Sequence, residues 1–219
     1  YRFTRWSMAT FHENGQPYVN TEHLFDFSQK FLDEYFPYCI EMARAFVQPK
    51  YQSAQAGRKA LFALDNLWDG IGGLVATDPS VKYLSGKVTI YSSSPELSRK
   101  AMIYYLDKHF GDREGLITSK NPERWTDEQE EYFNEMFNGA NYKEDYQILN
   151  NYVKSFGDVI PPLIHSYIGL SETMKTFGTT FDPDFGDCYD TAMIITIADI
   201  YKEKYDRYIN SYFSEAEKA

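Results

Sequence analysis

The run PYCIEMARAFV at residues 37–47 is mostly apolar and carries two charges, Glu41 and Arg44. A short apolar run of this kind reads as a strand buried on both faces. The polar residues 50–57 end at Gly57. An apolar repeat of helical period then follows, Leu61, Leu64, Leu67, Trp68 and Ile71, and predicts a helix from 58 to about 75. VKYLSGKVTIY at 81–91 reads as a second strand. Ser92, Ser93, Ser94, Pro95 and Glu96 supply helix-start signals for a helix over 95–110, with Leu97, Ala101, Ile103, Tyr104, Tyr105 and Leu106 inside it. Residues 37–110 therefore read strand, loop, helix, strand, helix, and that alternation predicts a largely buried α/β sheet.

Working outward, residues 1–11 alternate like a strand and Asn14-Gly15 marks a turn. Thr21 with Leu24, Phe25, Phe27, Phe31 and Leu32 reads as a capped amphipathic helix. Residues 111–135 are polar and acidic, which predicts a solvated helix or a surface excursion. Helices are expected over 143–156 and 161–174, the second opening at Pro161-Pro162. Strands are expected over 176–181 and 189–198, joined by a turn at 182–186, and a charged helix over 201–213 closes the chain.

The chain has 219 residues, of which 43 % are hydrophobic and 17 % aromatic, enough for a packed core and too apolar for a disordered chain. Its 19 Tyr and 16 Phe suit either an aromatic core or a deep apolar cleft. A net charge of −10 with no long basic run excludes a nucleic-acid binder. Cys39 and Cys188 lack metal-ligand spacing and read as buried free thiols, which favours a reducing compartment, and no metal is expected. No apolar run approaches the roughly 20 residues of a membrane span, so a cytoplasmic protein is expected. The first residues, Tyr1-Arg2-Phe3, read as a strand already under way, as if the chain starts inside a domain.

Three features point to chemistry. Glu41 and Arg44 sit three residues apart in an apolar strand, which puts them on opposite faces unless a bulge intervenes. They read either as charges paired to lock the sheet or as an active-site pair in which Glu41 orients or deprotonates an amine and Arg44 fixes the network. Val47, Pro49, Tyr51 and Gln52 run through Gly57 into a helix whose first turn holds Arg58 and Lys59. Cations oppose the helix dipole there, so they make more sense as phosphate ligands than as helix stabilisers, although an ordinary loop has the same composition. Tyr105 reads as a packed aromatic or as a proton donor beside a cleft.

Together these stretches resemble the GNAT superfamily of N-acyltransferases. Val47, Pro49, Tyr51, Gln52 and Gly57 are similar to its signature strand and pyrophosphate loop, and Ala101, Tyr105, His109 and Phe110 to a later helix whose Tyr protonates a leaving thiolate. Glu41 and Arg44 resemble the E-x-x-R strand of acyl-homoserine-lactone synthases and ornithine-lipid N-acyltransferases. IEMARAFVQPKYQ (40–52) and GRKALFALDNLW (57–68) resemble bacterial proteins that carry a hemolysin label, some linked to N-acyl glycine or ornithine lipids, as do HLFDF (23–27), PPL (161–163) and FGT (177–179).

The resemblance implies a GNAT-like mixed, splayed central sheet flanked by helices, within one domain over 1–219 whose opening strands are missing and which holds a helical insertion around 112–175. It implies transfer of a (3-hydroxy) fatty acyl group from acyl-CoA or the acyl-4′-phosphopantetheine of acyl carrier protein to a small amine acceptor such as an amino acid. The pantetheine arm is expected between strands 37–47 and 81–91, Glu41, Arg44 and Tyr105 (or Tyr104) at the reacting centre, and Phe46, Val47, Gln52, Gly57, Arg58, Lys59, Ser92 and Ser93 around the thioester and acceptor. Two departures, Ala43 in place of a usual Gly and a loop with one Gly, favour a carrier-protein donor. Lys50, Arg58, Lys59, Lys82, Lys87, Arg99 and Lys100 form the basic patch expected to dock the acidic carrier, with peripheral contact to the inner membrane allowed. A short-chain acetyltransferase and a non-catalytic GNAT-shaped binding module stand as alternatives.

Overall fold

The structure is a computed structural model that describes residues 2–44 and 65–216. In chain order its main elements are β1 (Arg2–Arg5), β2 (Phe25–Phe27), α1 (Gln29–Glu34), β3 (Cys39–Ala43), α2 (Asp65–Thr77), β4 (Tyr83–Tyr91), α3 (Glu96–Phe110) and β5 (Ile117–Ser119). Then come α4 (Asp127–Met136), α5 (Tyr142–Ser155), α6 (Pro162–Ile168), β6 (Lys175–Asp182), β7 (Cys188–Thr196), α7 (Lys202–Tyr205) and α8 (Ser211–Ala216), the last two joined by a π-helical stretch, Asp206–Asn210.

Five strands form one mixed sheet in the order β1-β3-β4-β7-β6, and β2 and β5 pair separately. β3 and β4 run parallel, as a strand–helix–strand unit requires, and the other neighbours are antiparallel. This is the mixed, helix-flanked sheet that the sequence predicts. The helix expected from 58 is described from Asp65 onward, and its predicted first turns lie outside the described residues.

Strand alternation sorts the core into two layers. Ile40, Met42, Leu84, Val88, Met193 and Ile195 face a cluster built with α2, α3, α5 and α6. Cys39, Ala192 and Ile194 face a second cluster with Trp6, Phe25, Phe27, Phe31 and Phe36. Trp6 stacks on Phe36 with ring centroids 5.0 Å apart and meets Phe27 and Phe31 edge-on. Fully burying one such side chain stabilises by about 1.5–3 kcal/mol, so this layer holds the short β1–β2 region in place. On the first layer, α2 lies so close to the C-terminal helical tail that a Cβ on Gly72 would fall 1.7 Å from the Tyr208 carbonyl oxygen.

Three expectations need correction. Residues 21–32 are not one helix: Phe25 and Phe27 are buried with Asp26 exposed between them, which is strand periodicity, and β2 pairs with β5. The helix starts only at Gln29, capped by Ser28, whose Oγ accepts the Phe31 N–H at 3.2 Å. Residues 111–135 hold the solvated helix expected there, α4, which a capping box of Thr126 and Gln129 starts and which buries Phe133, but they also contain a strand that was not expected, β5. The strand expected over 1–11 stops at Arg5, where a 3-10 turn, Trp6–Met8, turns Trp6 into the core. The segment between α3 and β6 is mainly helical, as expected of the insertion around 112–175, with β5 as its one described strand.

Candidate active site

β3 and β4 pair from Cys39↔Tyr83 to Met42↔Gly86. β3 then ends at Ala43, and Arg44 takes a φ of 55°, in the left-handed region that a non-glycine residue rarely occupies. β4 continues to Tyr91, held along its other edge by β7 as far as Tyr91↔Cys188. Beyond Gly86, the β3-side edge of β4 therefore has no partner strand among the described residues. It opens on a cleft of about 680 Å³.

Glu41 to Arg44 form one wall of this cleft, and Lys87, Val88, Thr89 and Tyr91 another. Asp182 of β6 and Asp190 of β7 lie behind them, with Pro161, Pro162, Leu163 and Tyr167 at the α6 end and Asn20 and His23 from the loop before β2. Glu41, Lys87, Thr89 and Asp190 belong to one face of the sheet, whereas Met42 and Val88 belong to the other, so the cleft passes through the sheet at the fork. The left-handed turn at Arg44 ends the strand, and Glu41 and Arg44 line the same space despite their spacing.

Each acidic group here is held in place. Glu41 is 1 % exposed; its carboxylate accepts the Thr21 hydroxyl on one oxygen and the Trp6 indole N–H, at 3.3 Å, on the other. Asp190 accepts the Thr89 hydroxyl at 2.7 Å and pairs with Lys87 at 2.8 Å. Asp182 accepts the Asp184 N–H at 3.0 Å through one oxygen, and its other oxygen lies 3.3 Å from His23 Nε2. Arg44, by contrast, is exposed and has no hydrogen-bond or ion-pair partner among the described residues. Among the described residues, four carboxylates (Glu41, Asp182, Asp184 and Asp190) face two cations, Arg44 and Lys87, a negative balance that attracts an ammonium group, with Arg44 open to an anion.

Two curated relatives align with nearly the whole chain. A glycine N(alpha)-acyltransferase of Phocaeicola vulgatus is 44 % identical over 220 residues, covering 100 % of this chain and 67 % of its own length. A glycine N(alpha)-acyltransferase of Bacteroides thetaiotaomicron is 43 % identical over 212 residues, covering 97 % of this chain and 63 % of its own length.

The chain belongs to the family of these glycine N(alpha)-acyltransferases. It spans about two thirds of the length of the relatives it matches. No family model matches the chain, and no solved structure matches it.

Within this N-acyltransferase fold the residues singled out in the sequence scatter. Glu41 and Arg44 meet at the cleft. Tyr105 is not brought to it: on α3 its ring is fully buried among Phe110, Phe137 and Tyr146, and its hydroxyl donates to the Tyr142 carbonyl at 2.8 Å. Burial pushes its pKa far up. Tyr104 stacks on Phe137 and meets Trp125 edge-on. His109, of the same helix motif, lies 2.7 Å from the fully buried Asp145, so that side of α3 is packed onto α5. Ser92 and Ser93 are exposed just past Tyr91, and Ser92 donates to the Asp187 carbonyl. Phe46, Val47, Gln52, Gly57, Arg58 and Lys59 lie outside the described residues.

The expected basic patch is partly spent on intramolecular partners. Lys87 pairs with Asp190, Lys100 with Glu96 and Glu123, and the Arg99 guanidinium sits 4.2 Å over the Tyr189 ring. Lys82 lies 4.1 Å over the Tyr38 ring, and Lys50, Arg58 and Lys59 are outside the described residues. Both cysteines are buried and free. Among the described residues no helix is long and apolar enough to cross a membrane. Among the same residues no three or more His, Cys, Asp or Glu side chains form a metal-binding group.

Sequence reasoning missed four cleft residues: His23, Tyr167, Asp182 and Asp190. His23 carried a signal inside the HLFDF tract, but its meaning depends on Asp182, 159 residues away. Asp182 reads locally as a turn residue, and Asp190 as one polar residue in an apolar strand.

Proposed function

We propose that this chain transfers a fatty acyl group from a thioester to the α-amine of an amino acid, with glycine the first acceptor to test. The observation that carries the reading is the cleft at the β3–β4 fork, where buried carboxylates face Arg44, which has no partner among the described residues. An amino acid brings an ammonium group and a carboxylate, and this arrangement offers a complement to each. The names of the two relatives support the same acceptor and the same type of bond.

In this reading the thioester enters the fork in the GNAT manner. Its carbonyl takes hydrogen bonds from backbone N–H groups that strand pairing leaves free, and one such preorganised donor is worth roughly 3 kcal/mol of barrier. Glu41 holds the amine and Arg44 the acceptor carboxylate. The amine attacks directly, the tetrahedral adduct expels the thiolate, and no acyl-enzyme forms. The proton for the thiolate, a role the helix motif gave to Tyr105, falls to Tyr167, which lines the cleft at the fork with its hydroxyl 3.2 Å from the point where a Cβ on Gly86 would stand. Burial holds the Tyr167 pKa high, so the hydroxyl is protonated and stands as a hydrogen-bond donor toward the departing sulfur.

Tyr91 and Phe185 line the same cleft while 61 % and 63 % exposed, and Leu163 adds to this apolar rim. Large apolar side chains left in the open beside a reactive cleft suit a fatty acyl chain better than an acetyl group. The donor is acyl-CoA or the phosphopantetheine arm of acyl carrier protein, and the product class is an N-acyl amino acid lipid. Incubation of the full chain with glycine and either palmitoyl-CoA or palmitoyl-acyl carrier protein tests this. Mass spectrometry is expected to find N-palmitoylglycine with at least one donor, and glycinamide, which lacks the carboxylate for Arg44, to react more slowly. Absence of any amino-acid acylation with both donors would leave a binding module instead of an enzyme.

A further inference from the structure

An amino-acid amine arrives as an ammonium ion and must lose a proton before its nitrogen can attack. Granting the acyl-transfer reading above, we infer that His23, oriented by Asp182, takes that proton.

The cleft carboxylates are already occupied. Glu41 accepts from Thr21 and Trp6, and Asp190 accepts from Thr89 and Lys87. Asp182 is 1 % exposed, and the Asp184 N–H and the His23 ring claim its two oxygens. His23 differs from all three. Its Nε2 lies 3.3 Å from Asp182 Oδ2, its side chain is 43 % exposed, and Nδ1 has no partner among the described residues. A carboxylate against one ring nitrogen holds the proton there and leaves the other nitrogen as the acceptor.

The loop carrying His23 is itself fixed. Leu24 N–H and Phe25 N–H both donate to the Thr21 carbonyl, at 3.2 and 3.1 Å, and the Thr21 hydroxyl donates to Glu41. One turn thus ties the imidazole to β3 through Glu41 and to β6 through Asp182. Among the described residues, the charged groups lining the spaces on either side of the ring are Asp182 and Asp184 from β6 and its following turn, Glu41 and Arg44 from β3, Lys87 and Asp190 from β4 and β7, Glu22 of its own turn, and Glu13, Asp26 and Lys120 on the outer side. Glu22 is paired with His12 at 2.6 Å. Among these described groups the balance is acidic, so an ammonium group is drawn toward the imidazole.

The step balances. The ammonium gives one proton to Nδ1, directly or through one water, and the freed lone pair forms the C–N bond to the thioester carbon. The C–S bond breaks as the tetrahedral adduct collapses, Tyr167 gives its proton to the leaving thiolate, and the second proton of the nitrogen restores the tyrosine. Nδ1 returns its proton to solvent, and one proton is released per turnover.

The test compares two acceptors on the full chain with palmitoyl-CoA or palmitoyl-acyl carrier protein. Glycine needs deprotonation, whereas hydroxylamine is already neutral at neutral pH. His23→Gln is expected to lower kcat/KM for glycine about 100-fold, leave the rate with hydroxylamine within a few-fold of wild type, and make the glycine rate climb with pH without levelling. Asp182→Asn keeps the oxygen that caps Asp184 and is expected to lose about tenfold on glycine alone. Equal losses on both acceptors, or an unchanged glycine rate, overturn the role of His23 while leaving the acyl-transfer reading intact. A wild-type chain that acylates neither acceptor overturns that reading and this inference with it.

Discussion

Met42 pairs with Gly86, and beyond that pair the described ladder between β3 and β4 stops while β4 runs on to Tyr91. In a continuous parallel ladder the next β4 residues would bond the next residues of β3. Here Lys87, Val88 and Thr89 line a cleft together with Glu41 and Arg44. The end of the described ladder thus borders the space in which buried acids face Arg44.

The crowding at the fork makes Gly86 a sensitive position. A Cβ there would stand 3.2 Å from the Tyr167 hydroxyl and 3.3 Å from the Met42 carbonyl. Gly86→Val is expected to cost about 1–3 kcal/mol of stability through overpacking. It should also lower acyl-transfer kcat/KM by more than that loss explains, because the branched side chain displaces Tyr167. Urea unfolding and steady-state kinetics on the same preparation separate the two effects.

Tyrosine substitutions separate the helix motif from the cleft. Tyr105→Phe removes the hydrogen bond to the Tyr142 carbonyl and is expected to cost about 0.5–1.5 kcal/mol of stability with kcat unchanged. Tyr167→Phe is expected to lower kcat about 100-fold with a thioester donor, and the loss should shrink with donors whose thiol is more acidic. The reverse pattern would return the proton-donor role to Tyr105.

Away from the cleft, Glu114 bridges Lys30 of α1 and Lys175 of β6. Hydrogen bonding and charge from Lys175 and Lys30 lower its pKa from an ordinary 4.5 to about 2. A depressed carboxylate stabilises the fold above its unfolded pKa, and the contribution disappears as pH falls through the folded value. The stability difference between wild type and Glu114→Gln is therefore expected to be full above pH 4.5 and to fade toward pH 2. Because the group is exposed at the surface, salt should reduce it too. Denaturant midpoints measured across that range check the slope.

Much of the sheet was legible from local pattern. β4, α3, α5, β6 and β7 match their expected positions to within a few residues because their apolar period is long enough to be unambiguous. Over residues 21–32 the pattern is ambiguous, because Phe25, Phe27 and Phe31 fit a helix stripe as well as a strand followed by a short helix, and the pairing of β2 with β5 decides between them. At the site, Glu41 and Arg44 were visible as charges in an apolar strand, where burial without purpose is costly. Motif spacing points to Tyr105 but says nothing of the side on which α5 packs. His23 and Asp182 stayed hidden because each has an ordinary local explanation and their meeting belongs to the tertiary fold.

The central claim is that thioester and amine meet at the β3–β4 fork. A crystal structure of the full chain with a bisubstrate analogue, in which a thioether replaces the thioester and glycine is joined to the acyl carbon, tests it most directly. The account predicts the thioether between Met42 and Val88, the glycine carboxylate on Arg44 and its nitrogen on the side of Glu41 and His23. An analogue bound elsewhere, with the fork empty or closed by continued pairing of β3 and β4, would contradict it.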